Sequence, residues 1–188
     1  MRRIALLLAL LITVPAVYAA PPDAPADWRA ALANELPLLG HRNWILIVDS
    51  AYPLQVSPGV ETIETGASQL AVVHAVLNDL NGSVHVRPDI FMDAELPFVP
   101  DTDAPGASAY RNDIATLLRG YTVQSMLHDK LLATVAESGQ QFHILVLKTT
   151  MAIPYTSVFI RLNCKYWGDD AEARLRQTMA ATKPASAH

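Results

Sequence analysis

The chain has almost no cysteine. Its 188 residues include a single one, Cys164, so no disulfide can form within the chain and the fold must be held together by packing alone. Neither this cysteine nor the histidines show the close ligand spacing typical of a zinc site. No short ligand spacing joins His74, His85 and His143, so we do not expect them to form a metal cluster. The sequence therefore argues against a disulfide scaffold, and we expect no metal.

Long apolar runs are also missing, apart from one at the amino terminus. That run, residues 4–14, follows Arg2 and Arg3 and precedes the small residues of the Val17-Tyr18-Ala19 segment. It is too short to span a bilayer, and the pattern is typical of a cleaved export signal. We predict a signal peptide at residues 1–19 and a periplasmic or secreted protein. The alternative is an uncleaved amino-terminal anchor.

Positive charge is scarce. The whole chain has 14 Lys and Arg against 18 Asp and Glu, a formal net charge of −4, and loss of Arg2 and Arg3 with the signal would make the charge more negative. Nothing in this balance favours binding to nucleic acid or to anionic lipid. The remaining length suits one domain with a single core. We assign residues 20–27 to a flexible segment, 28–166 to an α/β domain and 167–188 to a polar tail, in which we expect a short helix followed by a disordered end.

Strand and helix patterns alternate along the predicted domain. A helix is predicted from Trp28 to Leu36 behind the capping Asp27, and the apolar run Asn43–Asp49 is typical of a strand covered on both faces. The other predicted strands are 60–65, 84–86, 90–92, 121–125, 142–149 and 157–164, and the other predicted helices are 66–80, 108–118 and 127–137. Residues 93–107 are predicted to form a surface loop or lid. The alternation predicts a three-layer α/β/α fold around a mixed or mostly parallel sheet.

Polar side chains stand beside the predicted buried strands, and in such sheets ligands gather at strand ends. His41 in Leu-Gly-His precedes the first strand, and Asp49 in Asp-Ser-Ala-Tyr-Pro follows it. His128 begins a helix. Tyr155 and Ser157 lie in Pro-Tyr-Thr-Ser before the last strand.

This ordered set of motifs resembles the RbsD/FucU family of ribose pyranases and fucose mutarotases over residues 28–166. The resemblance implies a cofactor-independent isomerase that interconverts anomers or ring forms of a monosaccharide of the fucose or ribose type. It implies that His41 is the general acid/base, that Asp49 holds or orients His41 or the sugar, and that His128 and Tyr155 bind the sugar or relay protons. We expect Ser157 to bind the substrate beside them. It also implies a homo-oligomer in which a neighbouring subunit completes the pocket.

Proton transfer explains the residue types. Opening a sugar ring needs a proton delivered to the ring oxygen and one removed from the anomeric hydroxyl, and an imidazole can serve in both directions near neutral pH. The chain departs from the family pattern at Ser157, where the family usually has asparagine. Ser157 loses the two-sided hydrogen bonding of an amide, which puts substrate identity and turnover in question.

Each of these residues also has a structural interpretation. His41 would end the preceding helix, Asp49 and Tyr155 would form turns, and His128 would cap its own helix. At the level of the whole protein, two alternatives to an isomerase stay open. One is a monosaccharide-binding protein of the same fold without turnover, and the other is an interaction protein without affinity for sugars.

Overall fold

The computed structural model describes residues 27–182, so the predicted signal peptide and the last six residues lie outside the described part. The helices are α1 (Trp28–Glu35), α2 (Gln69–Gly82), α3 (Ala107–Leu117), α4 (His128–Ser138) and α5 (Asp169–Thr182). The strands are β1 (Trp44–Val48), β2 (Val60–Glu64), β3 (Val86–Asp93), β4 (Val123–Met126), β5 (Ile144–Lys148) and β6 (Val158–Cys164).

The six strands form one mixed sheet in the order β2-β5-β1-β6-β3-β4. β1 and β2 run parallel to β5, β3 runs parallel to β4, and β6 lies antiparallel between β1 and β3. Five strands therefore end at the same end of the sheet, where β6 begins. We call this the carboxyl end of the sheet and the opposite end its amino end.

Both faces of the sheet are covered, which confirms the predicted three-layer architecture. On one face, Ile45, Ile47 and Leu145 pack against side chains from α1, α2 and α3. On the other, Leu46 and Val146 pack against α4. All five residues of β1 are buried, as expected for a central strand whose near-continuous apolar run serves both faces.

Two predicted features around β3 were wrong. The fragments 84–86 and 90–92 are one strand that runs through Pro88, which pairs with Leu162 of β6. The proline is tolerated because β4 pairs with β3 only from Ile90 onward, so at Pro88 β3 is an edge strand on that side. Residues 93–107 are also more than a surface loop, because Leu96 and Val99 are buried there.

The last described helix, α5, lies in the segment predicted as a polar tail. It is 14 residues long and none of its side chains is buried. No helix within residues 27–182 combines the length and the apolar character needed to cross a bilayer.

Candidate active site at the carboxyl end of the sheet

The topology brings side chains from distant parts of the sequence to the carboxyl end of the sheet. Asp49 follows β1, Asp93 ends β3, His128 begins α4 just after β4, and Tyr155 precedes β6. The four strands concerned are consecutive in the sheet, in the order β1-β6-β3-β4. Ends of adjacent strands in an open α/β sheet are the usual place for ligand binding.

A cavity of about 410 Å³ opens at this end. Three of the predicted site residues line it, namely Asp49, His128 and Tyr155. The rest of its wall is contributed by residues 50–53 after β1 and by residues 152–154 before β6. The volume lies within the range of roughly 300–1,000 Å³ that is typical of small-molecule sites.

His128 is held against a buried carboxylate. Its Nδ1 lies 3.1 Å from Oδ1 of Asp93, whose side chain has no exposed surface, whereas the imidazole itself is 26% exposed. With Nδ1 donating to Asp93, the second ring nitrogen, Nε2, is left to act on a ligand. A carboxylate in this position fixes the tautomer and the orientation of the ring.

The helix-capping role considered for His128 is taken by another residue. The two carboxylate oxygens of Glu95 both lie 3.1 Å from the backbone nitrogen of His128, which donates to them at the start of α4. A carboxylate is favourable at this position because it faces the positive end of the helix dipole. Glu95 thus secures the helix start, and the His128 side chain is not used as a cap.

Burial raises the pKa of Asp93 from 3.8 to about 6, against the opposing effect of the hydrogen bond from His128. The nearby carboxylates of Glu95 and Asp49 raise the pKa further. Oδ2 of Asp93 is buried and has no hydrogen-bond partner among residues 27–182. The ionised form of Asp93 is therefore poorly solvated. Because it is poorly solvated, it attracts a proton on His128 more strongly than an exposed carboxylate would.

Asp49 has both a turn-forming and a cavity-lining role. Its Oδ1 accepts a hydrogen bond of 2.9 Å from the backbone nitrogen of Ala51, which closes the turn after β1. Its Oδ2 accepts a hydrogen bond of 3.2 Å from Oγ of Ser157. The carboxylate is thereby fixed in place while it remains part of the cavity wall.

Tyr155 has a left-handed backbone, with φ of 60°. This conformation is unfavourable for a non-glycine residue and occurs most often where a site needs a particular side-chain position. The Tyr155 ring meets the imidazole of His128 edge to face, with centroids 5.4 Å apart and an interplanar angle of 86°. Phenol and imidazole therefore form one continuous part of the cavity wall.

Ser157 does not line the cavity. Its side chain is fully buried, and its hydroxyl donates to Asp49. The predicted grouping of Ser157 with the other site residues is found, but its contact is with Asp49 and not with the space that a ligand would fill.

A buried polar network behind the cavity fixes the segment between β5 and β6. The Nε2 atom of Gln69 donates to the carbonyls of Ile47 and Thr156 at 3.0 and 2.9 Å, and its Oε1 accepts from Oγ1 of Thr149 at 2.6 Å. The hydroxyl of Tyr110 donates to the same Thr156 carbonyl at 2.7 Å. A fully satisfied network of this kind rigidifies the loop that carries Tyr155.

His41 lies apart from this cavity in the same chain. It precedes β1, whereas Asp49 follows it, and the five residues of the strand alone separate the two by about 16 Å at 3.3 Å per residue. His41 is exposed in the turn at the amino end of the sheet. Within one copy, Asp49 therefore cannot orient His41, because an extended strand keeps them at opposite ends.

One solved structure supports this interpretation of the architecture. Bacillus subtilis RbsD complexed with D-ribose matches with a TM-score of 0.53 and 13% identity, over 71% of this chain and 92% of that one. The chain has the RbsD fold. Fucose mutarotase from Streptococcus pneumoniae, in complex with L-fucose, gives a TM-score of 0.48, 17% identity, and coverage of 74% and 95%. FucU from Bifidobacterium longum gives a TM-score of 0.49 and 12% identity, over 71% of this chain and 94% of that one.

The agreement is confined to three-dimensional structure. No protein-family model matches the sequence, and no curated protein matches it either. The RbsD fold predicted from the motifs is thus confirmed at the level of architecture, while the chemistry has to be argued from the residues themselves.

Several residues of the site were missed in the sequence. Asp93 ends the apolar run Ile90-Phe91-Met92 in the same way that Asp49 ends the run before it, and this repeated pattern was the available signal. Glu95 lies in the segment that was predicted as a lid. Gln69 gave no signal, because one polar residue on an amphipathic helix is ordinarily exposed.

Proposed function

We propose that this protein is a cofactor-independent isomerase that interconverts anomers or ring forms of a monosaccharide by general acid/base catalysis. The observation that carries the proposal is the His128–Asp93 pair on the wall of a cavity at the carboxyl end of an RbsD-like sheet. The sugar-bound structures with similar folds agree with a monosaccharide ligand.

The chemistry requires two proton transfers. Ring opening of a hemiacetal breaks the bond between the anomeric carbon and the ring oxygen; the ring oxygen gains a proton while the anomeric hydroxyl loses one and becomes a carbonyl. Ring closure on the other face of the carbonyl reverses both transfers and yields the other anomer. Closure by a different hydroxyl changes the ring size.

His128 is suited to one of these transfers. Its Nε2 exchanges a proton with the sugar, and Asp93 stabilises the charge that the imidazole acquires when it is protonated. Asp49 and Tyr155 provide a carboxylate and a phenol for hydrogen bonds to sugar hydroxyls, and the Tyr155 ring offers an apolar surface for the face of a pyranose. In this arrangement the sugar is held between the two loops that flank β1 and β6.

The second acid/base is His41 of a neighbouring copy. His41 and Leu38, three residues before it, are both exposed at the amino end of the sheet, and Leu38 is 83% exposed. Beside the cavity, Leu54 and Leu127 are 74% and 53% exposed. An oligomer in which the amino end of one copy contacts the carboxyl end of the next would cover these apolar side chains and place a second imidazole at the cavity.

Mixed oligomers test this arrangement. His41→Ala and His128→Ala are each expected to abolish exchange alone, while co-assembled subunits carrying one substitution each should regain part of the activity, because some cavities then receive both imidazoles. No recovery in oligomers shown to be mixed, or full activity of His41→Ala, would contradict the shared site. A monomer in solution would contradict it as well.

Exchange NMR tests the enzymatic activity itself. Saturation transfer between anomeric protons measures anomer exchange in ribose, fucose, galactose and glucose. The protein should accelerate this exchange for at least one of the four sugars, and His128→Asn protein should not. Acceleration of none of these sugars would refute the proposed isomerase.

A binding protein without turnover is the second candidate. It is favoured by the engagement of both Asp49 oxygens in hydrogen bonds within the protein and by the burial of Ser157. Calorimetry separates the two functions. Sugar binding without any acceleration of anomer exchange would identify the binding protein.

We also propose that the protein acts outside the cytoplasm, on the basis of the amino-terminal pattern. Fractionation of expressing cells tests this. Cleavage after residue 19 and recovery in the periplasm or medium are expected, and an intact chain retained in the cytoplasm would contradict it.

A further inference from the structure

A second cluster of chemically active side chains lies at the amino end of the sheet, far from the candidate active site. It consists of Glu35, Glu61 and His143, which come from the last residue of α1, from β2 and from the residue before β5. One ligand atom from each lies within 4.8 Å of those of the other two, and Nε2 of His143 is 2.9 Å from Oε2 of Glu35. We call these three residues the Glu-Glu-His cluster.

The sheet register explains why these residues meet. Glu61 is paired with Leu145, and His143 is two positions before Leu145, so both side chains lie on the same face of the sheet as Leu145. That face is covered by α1, whose Leu32 is in the core. Glu35 follows Leu32 by three residues and so lies on the same side of the helix.

Within residues 27–182, the two carboxylates of the cluster have no lysine or arginine partner. Two carboxylates lie close together, and the last turn of α1, where the helix dipole favours a cation, contains no basic residue. The nearby Arg42 instead lies over the Phe142 ring, with its guanidinium carbon 5.9 Å from the ring centre.

The cluster is also ordered and accessible. The side-chain nitrogen of Asn43 donates to the carbonyl of His143 at 3.0 Å, and the Asn43 side-chain oxygen accepts from the backbone nitrogen of Gly40 at 2.7 Å. These bonds fix the backbone that carries the imidazole. All three members of the cluster line a cavity of about 370 Å³, which leaves room for water molecules as additional ligands.

We propose that the Glu-Glu-His cluster is a binding site for a divalent transition-metal cation, with zinc the best match. Two carboxylate oxygens and one imidazole nitrogen are all zinc ligands, and a fourth position would be filled by water from the cavity. Calcium and magnesium are less suitable because they prefer sites made of oxygen alone. The three ligand atoms lie within 4.8 Å of one another, and a bound zinc ion would hold each of them at about 2.0–2.2 Å.

A metal here would act on structure. It would join the end of α1 to β2, an edge strand that pairs only with β5, and to the start of β5. Within one copy the cluster is at the opposite end of the sheet from the cavity that holds His128, and none of its three residues takes part in the proposed sugar chemistry. Successive ligands are 26 and 82 positions apart, which explains why sequence spacing did not reveal them.

Calorimetric titration of the untagged chain with zinc chloride tests the site. One zinc ion per chain is expected, with a rise in the thermal unfolding midpoint because the metal binds the folded state. Glu61→Gln should weaken zinc binding by more than the roughly 10- to 100-fold typical of lost outer-shell partners. His143→Gln should do the same, and cobalt bound in place of zinc should lose its visible absorption in both variants.

Glu64→Gln is the matched control, since Glu64 is an exposed carboxylate on the same strand but outside the cluster. It should bind zinc as the unsubstituted chain does. Glu61 is itself exposed, so Glu61→Gln is expected to keep the circular dichroism spectrum of the folded protein. The absence of saturable zinc binding would overturn the proposal. Equal zinc binding by Glu61→Gln, or equal affinity for magnesium or calcium, would overturn it too.

Discussion

Replacing Asp93 with asparagine separates the catalytic role of this residue from its effect on stability. The substitution keeps the shape of the side chain and an oxygen that can accept from Nδ1 of His128, but it removes the charge. Because Asp93 does not line the cavity, the substitution should change the affinity for sugar little. Catalysis should suffer, since a neutral amide stabilises a protonated imidazole less than a carboxylate does.

The magnitudes follow from the burial of Asp93. A rise of its pKa from 3.8 to about 6 corresponds to roughly 3 kcal/mol by which folding disfavours the charged carboxylate. The contribution of Asp93 to stability is therefore complete below pH 3.8 and is lost as the pH rises through about 6. At pH 7.5, Asp93→Asn should leave the free energy of unfolding unchanged or raise it by up to about 3 kcal/mol, while anomer exchange slows by roughly 10- to 100-fold.

Urea denaturation between pH 4 and pH 7.5 and exchange NMR at pH 7.5 measure the two effects. The free energy of unfolding of Asp93→Asn, measured relative to that of the unsubstituted protein, should increase as the pH rises. Asp89→Asn is the control: Asp89 is on the same face of β3 but bonds to Arg87 and Arg161, so exchange should be unaffected. Unchanged exchange in Asp93→Asn, or a loss of several kcal/mol at pH 7.5, would refute this reasoning.

Other substitutions test the surrounding structure by urea denaturation and exchange NMR. Tyr155→Phe should slow exchange by about 2- to 10-fold without changing stability, as expected for one lost hydrogen bond to the sugar; unaltered exchange would remove that bond from the account. Gln69→Leu should destabilise the fold by roughly 1–3 kcal/mol, because three hydrogen bonds to buried groups are lost, although Thr156 keeps its bond from Tyr110 and Thr149 keeps its bond to Val48; an unchanged stability would mean that water replaces the amide. Gly59→Ala should cost about 2 kcal/mol, since its Cβ would lie 2.4 Å from the carbonyl oxygen of Phe142. Gly82→Ala, whose Cβ meets open space at the end of α2, should gain up to about 1 kcal/mol. A Gly59→Ala protein as stable as Gly82→Ala would contradict the close approach.

Local patterns were sufficient for most of the architecture. The apolar, β-branched run before Asp49 predicted β1, and the capping Asp27 predicted the start of α1, because both depend on residues adjacent in sequence. The continuity of β3 through Pro88 was not predictable in this way. It depends on β4 leaving that side of the strand unpaired, which is a property of the sheet as a whole.

The site was predictable to the extent that strand ends converge. Asp49, His128 and Tyr155 follow or precede buried strands, so their meeting could be expected. The partnership of His128 with Asp93 could not, because 35 residues separate them and only the parallel pairing of β3 and β4 brings them together. The position of His41 shows the converse: eight residues from Asp49 in sequence, it lies at the opposite end of the sheet because the strand between them is extended.

The central claim is that His128, held by Asp93, exchanges protons with a sugar hemiacetal. The most direct measurement is the rate constant of anomer exchange for ribose and fucose as the concentration of protein is increased, with His128→Asn protein measured in parallel. A rate that rises in proportion to the unsubstituted protein and stays at the uncatalysed value with His128→Asn is the predicted result. Equal slopes for the two proteins, or no slope for either, would contradict it.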